Sequence, residues 1–132
     1  MSIEQALDKL RIHSEENIGE GTAESEIVKL ETAFGIKLPD EFRIYLKEIG
    51  YAEIHGDEIY SIYEVPDETA CNGLHWMNKD NELLKEGLIE FFSSDIDGTF
   101  YIHQNSGKVF LNGNEDIFAE SFSEFVGKLI DD

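Results

Sequence analysis

Between Gly35 and Gly50 the chain reads GIKLPDEFRIYLKEIG, a helix stop, a helix start and a second stop within sixteen residues. Glycine enters the left-handed conformation that ends a helix without a side-chain penalty, so Gly35 and Gly50 are both stop signals. Pro39 has the fixed φ and missing N–H that suit a first helical turn. Asp40 and Glu41 then stand at the positive end of the helix dipole, where a carboxylate gains roughly 0.3 to 1 kcal/mol. Upstream, Ile27, Leu30, Ala33 and Phe34 recur at three- and four-residue spacing, with Thr22 or Ser25 available as the cap. Downstream, Phe42, Tyr45, Leu46 and Ile49 supply the matching stripe. A chain punctuated in this way folds the two stripes together as a helix hairpin.

The remaining elements follow the same physics. Ser2 and Gln5 have capping-box spacing, and Ile3, Ala6, Leu7 and Leu10 form a stripe, which predicts a first helix to about Arg11 and a polar loop from His13 to Gly21. Beyond the hairpin, Ile54 and the run Ile59 to Val65 flank the turn His55-Gly56-Asp57, predicting two strands that Pro66 closes. From Asp67 to Gly87 the pattern is weakest. It suggests a short helix over Thr69 to Met77 and another over Asn81 to Lys85, with Asn72-Gly73 as a break. Leu88 to Ser93 and Thr99 to His103 read as strands joined through Asp97-Gly98, and Lys108 to Leu111 follows an Asn105-Ser106-Gly107 turn. Ser121 and Glu124 have capping-box spacing, and Phe122, Phe125, Val126, Leu129 and Ile130 face the sheet. The predicted class is α+β: a mostly antiparallel sheet of about five or six strands with helices packed on one face, an N-terminal helix hairpin and a C-terminal helix.

At these residues the chain resembles the SUKH superfamily, which includes bacterial immunity proteins that neutralise toxins and eukaryotic regulators of cell-wall growth. The shared pattern is an amphipathic helix with a glutamate in its latter half, here Ile27 through Glu31, then Leu38 and Pro39, Phe42, Leu46 and Gly50. It continues in GLIEFFSSDIDGTFYIH from Gly87 to His103, the SGKVFL strand, and AESFSEFVGKLI from Ala119 to Ile130. The resemblance covers nearly the whole chain from Thr22 onward, while Pro66 to Gly87 matches no part of the pattern. It implies a toxin-binding role or, as the alternative, a regulatory protein-binding scaffold not paired with a toxin, and no enzyme activity. The long flanks that such a regulator uses for several partners are not part of this sequence.

Length and charge narrow the reading. The 132 residues predict a single domain over 1–132 that needs no disulfide. Cys71 has no partner cysteine, no run of about 18 apolar residues is present, and Met1-Ser2 reads as an ordinary start, so a reducing cytoplasm is the expected compartment. With 29 acidic against 10 basic residues the formal charge is −19, whereas solubility of a small domain takes a magnitude of about 2 to 8. Such a field repels nucleic acid and anionic membrane, and speeds encounter with basic proteins by roughly 10- to 1000-fold at low salt. The placement is uneven. No Lys or Arg occurs between Lys47 and Lys79, where Glu48, Glu53, Asp57, Glu58, Glu64, Asp67 and Glu68 all stand.

No constellation specifies catalysis or a cofactor. Asp95-Ile96-Asp97-Gly98 begins like a calcium loop, but the later ligands do not follow, because Tyr101 to His103 is already strand. His13, His55, His75 and His103 have no zinc spacing, and Cys71 with His75 is a lone pair. Carboxylates around Cys71 disfavour its thiolate, so it reads as a small core residue. The aromatic residues are more telling. Tyr and Trp give a large contact area at low entropy cost, so acids interleaved with them form a docking surface for a partner rich in Arg or Lys. The expected surface comprises Asp57, Glu58, Tyr60, Tyr63, Glu64, Asp67, Glu68 and Trp76, with the turn carboxylates Asp95 and Asp97. Strand alternation requires one of Tyr60 and Tyr63 to face outward. The expected partner is a basic toxin domain, a nuclease above all because its cleft must grip nucleic acid, bound by a monomer.

Overall fold

The helix hairpin is the first element that the computed structural model, which describes residues 1–63, 65–66, 73–113 and 116–131, bears out. α2 (Glu24–Phe34) ends on Gly35 at φ 64°, and α3 (Asp40–Glu48) is followed by Gly50 at φ 73°. One buried carboxylate fastens the two helices. Glu31 accepts the Leu38 N–H at 2.8 Å and the Arg43 guanidinium at 3.1 and 3.2 Å, and Arg43 reaches on to Glu24 at 2.9 Å. Two details differ from expectation. Pro39 is the residue before the helix rather than its first turn, with ψ 150°. The N-cap of α2 is Ala23 and makes no side-chain bond, so neither Thr22 nor Ser25 caps it.

The capping box of Ser2 and Gln5 opens α1 (Ile3–Ser14), which runs past Arg11. Tertiary bonds carry the extra turn: the Ser14 hydroxyl donates to Glu53 O at 2.9 Å, and His13 Nε2 accepts the His55 N–H at 3.0 Å.

β1 (Glu53–Ile54) and β2 (Asp57–Glu58) pair through a two-residue turn in which His55 (φ 52°) and Gly56 (φ 88°) are both left-handed, the geometry that matches strand twist in a tight hairpin. The predicted strand from Ile59 to Val65 does not continue as a ladder. Ile59 bridges Phe92, the Tyr60 N–H donates to Phe91 O at 2.9 Å, and Ser61 bridges Gly73. The next position on that edge is already filled, because the buried Asn78 side chain donates to Glu90 O at 2.9 Å and accepts the Glu90 N–H at 2.8 Å. Asn78 belongs to α4 (Leu74–Asn78), which starts just after Gly73; residues 69–72 of the predicted helix lie outside the described residues. A 3₁₀ turn, Glu82–Glu86, capped by Asn81, replaces the second predicted helix there.

β3 (Leu88–Ser94), β4 (Gly98–His103), β5 (Val109–Leu111) and β6 (Ile117–Ala119) form an antiparallel sheet in that order. β6 was not expected from the sequence. Its outer edge is closed by Lys128, whose ammonium donates to Phe118 O at 2.6 Å. The inner face buries Ile89, Phe92, Phe100, Ile102, Val109 and Ala119. α5 (Phe122–Ile130) lays Phe125 on that face, with ring centroids 4.8, 5.6 and 5.2 Å from Phe91, Phe92 and Phe100. Ser121 caps α5 by accepting the Glu124 N–H at 3.1 Å, but the Glu124 carboxylate turns to the Glu120 N–H at 3.0 Å, so only half of the predicted box forms. The fold is α+β, with five α-helices and a mostly antiparallel sheet among the described residues. Among the described residues no helix is long and apolar enough to cross a membrane.

Candidate functional site

Two hairpin turns, one followed by Asp57 and one carrying Asp95 and Asp97, meet at one end of the sheet. The Ile59–Phe92 bridge lays the β1–β2 hairpin alongside β3, which places the His55-Gly56 turn next to the Asp95 to Asp97 turn that joins β3 to β4. Between the turns lies a cavity of about 100 Å³, with Ile54, Phe92, Ile96 and Leu129 as apolar walls and Asp57 and Asp97 at its polar side. His55 completes the rim, and its Nε2 lies 2.8 Å from Leu129 O, tying the turn to the end of α5. Ile96 is 94 % exposed at the tip of its turn. Among the described residues none of Asp57, Asp95 and Asp97 pairs with a lysine or arginine.

The expected docking residues divide. Asp57 and Asp97 share the cavity, with exposed Asp95 beside them. Glu58 lies opposite Glu53 in the hairpin and accepts the Tyr63 hydroxyl at 2.6 Å, and Tyr63 is the outward tyrosine at 51 % exposed. Tyr60 is the inward one, at 3 % exposed, so it offers no surface to a partner. Trp76 sits on α4, half-buried, with the Lys79 ammonium 3.6 Å above its ring. That helix is tied to the Glu90 end of β3, whereas Asp95 and Asp97 lie beyond Ser94 at the other end. Glu64, Asp67 and Glu68, like Cys71, lie outside the described residues. Tyr45, from the apolar stripe of α3, is wholly buried beside Phe42 and Phe122.

A regular chemistry runs through this half of the molecule. Where the sequence supplies no cation, tyrosine hydroxyls serve as donors to the carboxylates: Tyr51 to Glu53 at 2.7 Å, Tyr60 to Glu90 at 2.8 Å, Tyr63 to Glu58 at 2.6 Å. Bonding to Glu53, with burial added, pushes the Tyr51 hydroxyl up to about 12. A bond of this kind orders a carboxylate and leaves its charge in place. The acidic surface is therefore partly fixed in position and keeps its negative charge.

Several surface features were not singled out from the sequence. Register sets Glu90 opposite Tyr101, Tyr101 opposite Phe110 and Phe110 opposite Ile117, a row across the outer sheet face that ends on Ile117 at 42 % exposed. Ile96 was read only as part of a turn. An apolar residue flanked by two aspartates at a hairpin tip was the available signal, since nothing else in such a turn requires it.

A larger hollow of about 460 Å³ lies between the start of α3, the β4–β5 turn and the start of α5. Its size matches a small-molecule pocket, about 300 to 1,000 Å³, but polar groups along it join the elements. Gln104 accepts the Lys37 N–H at 3.1 Å, and Glu41 accepts the Ser123 N–H and hydroxyl at 3.0 and 2.7 Å. It is a seam that Gln104 and Glu41 bridge with their side chains. Among the described residues no group of three His, Cys, Asp or Glu side chains is placed to hold a metal ion.

At one end of this α+β fold the exposed Ile96 stands beside Asp57, Asp95 and Asp97, none of which pairs with a lysine or arginine among the described residues. The chain belongs to the SMI1/KNR4 family (SUKH-1), whose model matches residues 21–128. That match takes in the Glu31 hairpin, the sheet and nearly all of α5. No curated protein matches the chain. Family membership is consistent with immunity and regulatory roles and carries no assignment of a target.

Proposed function

We propose that the protein is a cytoplasmic immunity protein that binds a basic toxin domain, a nuclease above all, and blocks it by occlusion without chemistry of its own. The observation that carries this reading is the end of the sheet where Asp57, Asp95 and Asp97 stand, among the described residues, free of lysine and arginine partners on a chain of formal charge −19. A nuclease cleft is cationic because it grips phosphates, so this surface is its electrostatic complement. Family membership supports the immunity role, and the charge narrows the partner. The test is co-expression with the toxin domain encoded beside the gene, followed by size exclusion at low salt. Survival of the cells and a co-eluting complex are expected. Continued killing with no complex overturns the proposal.

A further inference from the structure

We propose that the cavity between the His55-Gly56 and Asp95 to Asp97 turns receives one lysine side chain of the basic partner. This rests on the reading above and names the contact through which the acidic end would grip. The volume decides what can enter: about 100 Å³ lies well below the roughly 300 to 1,000 Å³ of small-molecule pockets. A metabolite does not fit, and one slender side chain does.

The walls decide which side chain. Ile54, Phe92, Ile96 and Leu129 offer an apolar lining for a tetramethylene stem, while Asp57 and Asp97 flank the polar side. A long cationic side chain is the group that buries methylenes and keeps its charge near water. The two carboxylates come from different hairpins, Asp57 from the start of β2 and Asp97 from the turn between β3 and β4. That suits the rotatable donors of an ammonium better than the guanidinium fork, which matches a single carboxylate. The Ser94 hydroxyl, which accepts the Asp97 N–H at 2.9 Å, holds the second turn in place, and the His55 contact with Leu129 O holds the first. No described lysine or arginine competes for either aspartate.

The experiment uses n-pentylamine, protonated at pH 7, as a stand-in for the lysine side chain, and n-pentanol as its neutral counterpart. Both are titrated into the whole protein while amide signals are followed by NMR. Saturable millimolar binding of the amine, with shifts centred on Ile54, Ile96 and Leu129, is expected, and binding of the alcohol at least about tenfold weaker. The pair Asp57→Asn and Asp97→Asn should weaken the amine about tenfold or more, whereas Glu48→Gln with Glu120→Gln, which removes the same charge elsewhere, should change it less than about twofold. Shifts spread over exposed carboxylates without saturation, equal binding of the alcohol, or equal effects of the two pairs would overturn the inference. Failure here leaves the immunity reading intact if a toxin complex still forms. Amine binding at the cavity with no toxin complex sinks that reading alone.

Discussion

The Tyr60 hydroxyl donates to Glu90 Oε2 at 2.8 Å, joining the chain segment after β2 to the second residue past the start of β3. Burial raises the Glu90 carboxyl above the ordinary carboxylate value, and the Tyr60 bond offsets that only in part. The folded state thus favours protonated Glu90. Its contribution to stability is present below the unfolded value, about 4.3, and is lost as pH rises through the raised folded value.

At pH 7 Glu90 is therefore a carboxylate that folding would prefer neutral. Glu90→Gln keeps an acceptor for Tyr60 and should raise the urea midpoint at pH 7, with the advantage shrinking toward pH 4. The exposed change Glu82→Gln corrects for the general relief of negative charge. If Glu90→Gln gains no more than Glu82→Gln at pH 7, or gains equally at both pH values, the burial argument is wrong.

Asn78 stands in for a neighbouring strand at Glu90, satisfying both its N–H and its C=O from a side chain that is itself buried. Asn78→Ala leaves two backbone groups without partners. Each costs about 1 to 3 kcal/mol when unsatisfied, so a loss of about 3 kcal/mol by chemical denaturation is expected. A loss below about 1 kcal/mol would mean that water replaces the amide there.

The sequence was most legible where local chemistry decides the outcome. Gly35, the Ser2 cap and the His55-Gly56 turn are punctuation, readable because the residue itself sets the backbone. The shortened strand after Ile59 was not readable, because it stops on account of Asn78, an asparagine far along the chain that alternation does not report. The same holds at the candidate site. Asp57, Asp95 and Asp97 were visible as charges, yet that Asp57 and Asp97 share one apolar cavity depends on Phe92 and Leu129, which arrive from the sheet and from α5. Tyr60 and Tyr63 were known to point opposite ways. Which one faces out was settled by the bridge of Ile59 to Phe92, a long-range fact.

Glu31 is the hinge pin of the helix hairpin, and its two roles separate by substitution. Glu31→Gln keeps an acceptor for the Leu38 N–H but gives up the charge opposite Arg43, and should cost about 1 kcal/mol, since Arg43 retains Glu24. Glu31→Ala removes both bonds in a buried setting and should cost about 3 kcal/mol. Denaturation midpoints of the two variants test this. Equal losses would show that the ion pair, and not the bond to Leu38, carries the contribution.

Salt should act on stability and on binding with opposite signs. At a formal charge of −19 the folded chain repels itself, while attractive ion pairs such as Lys9–Asp131 and Lys47–Glu24 are few and exposed and so worth about 0 to 1 kcal/mol each. Raising sodium chloride from 0.1 to 1 M shortens the screening length from about 10 Å to about 3 Å. Screening then relieves more repulsion than attraction, and the melting temperature should rise. Partner binding rests on attraction between surfaces of opposite sign, so its affinity should fall about tenfold or more over the same range. Melting curves and isothermal titration against the toxin domain, in one buffer series, read both. A melting temperature that falls with salt would mean that the few ion pairs outweigh the repulsion. A salt-independent affinity would mean that the partner is held by apolar contact at Ile96 and Tyr63, with Asp57 and Asp97 as bystanders.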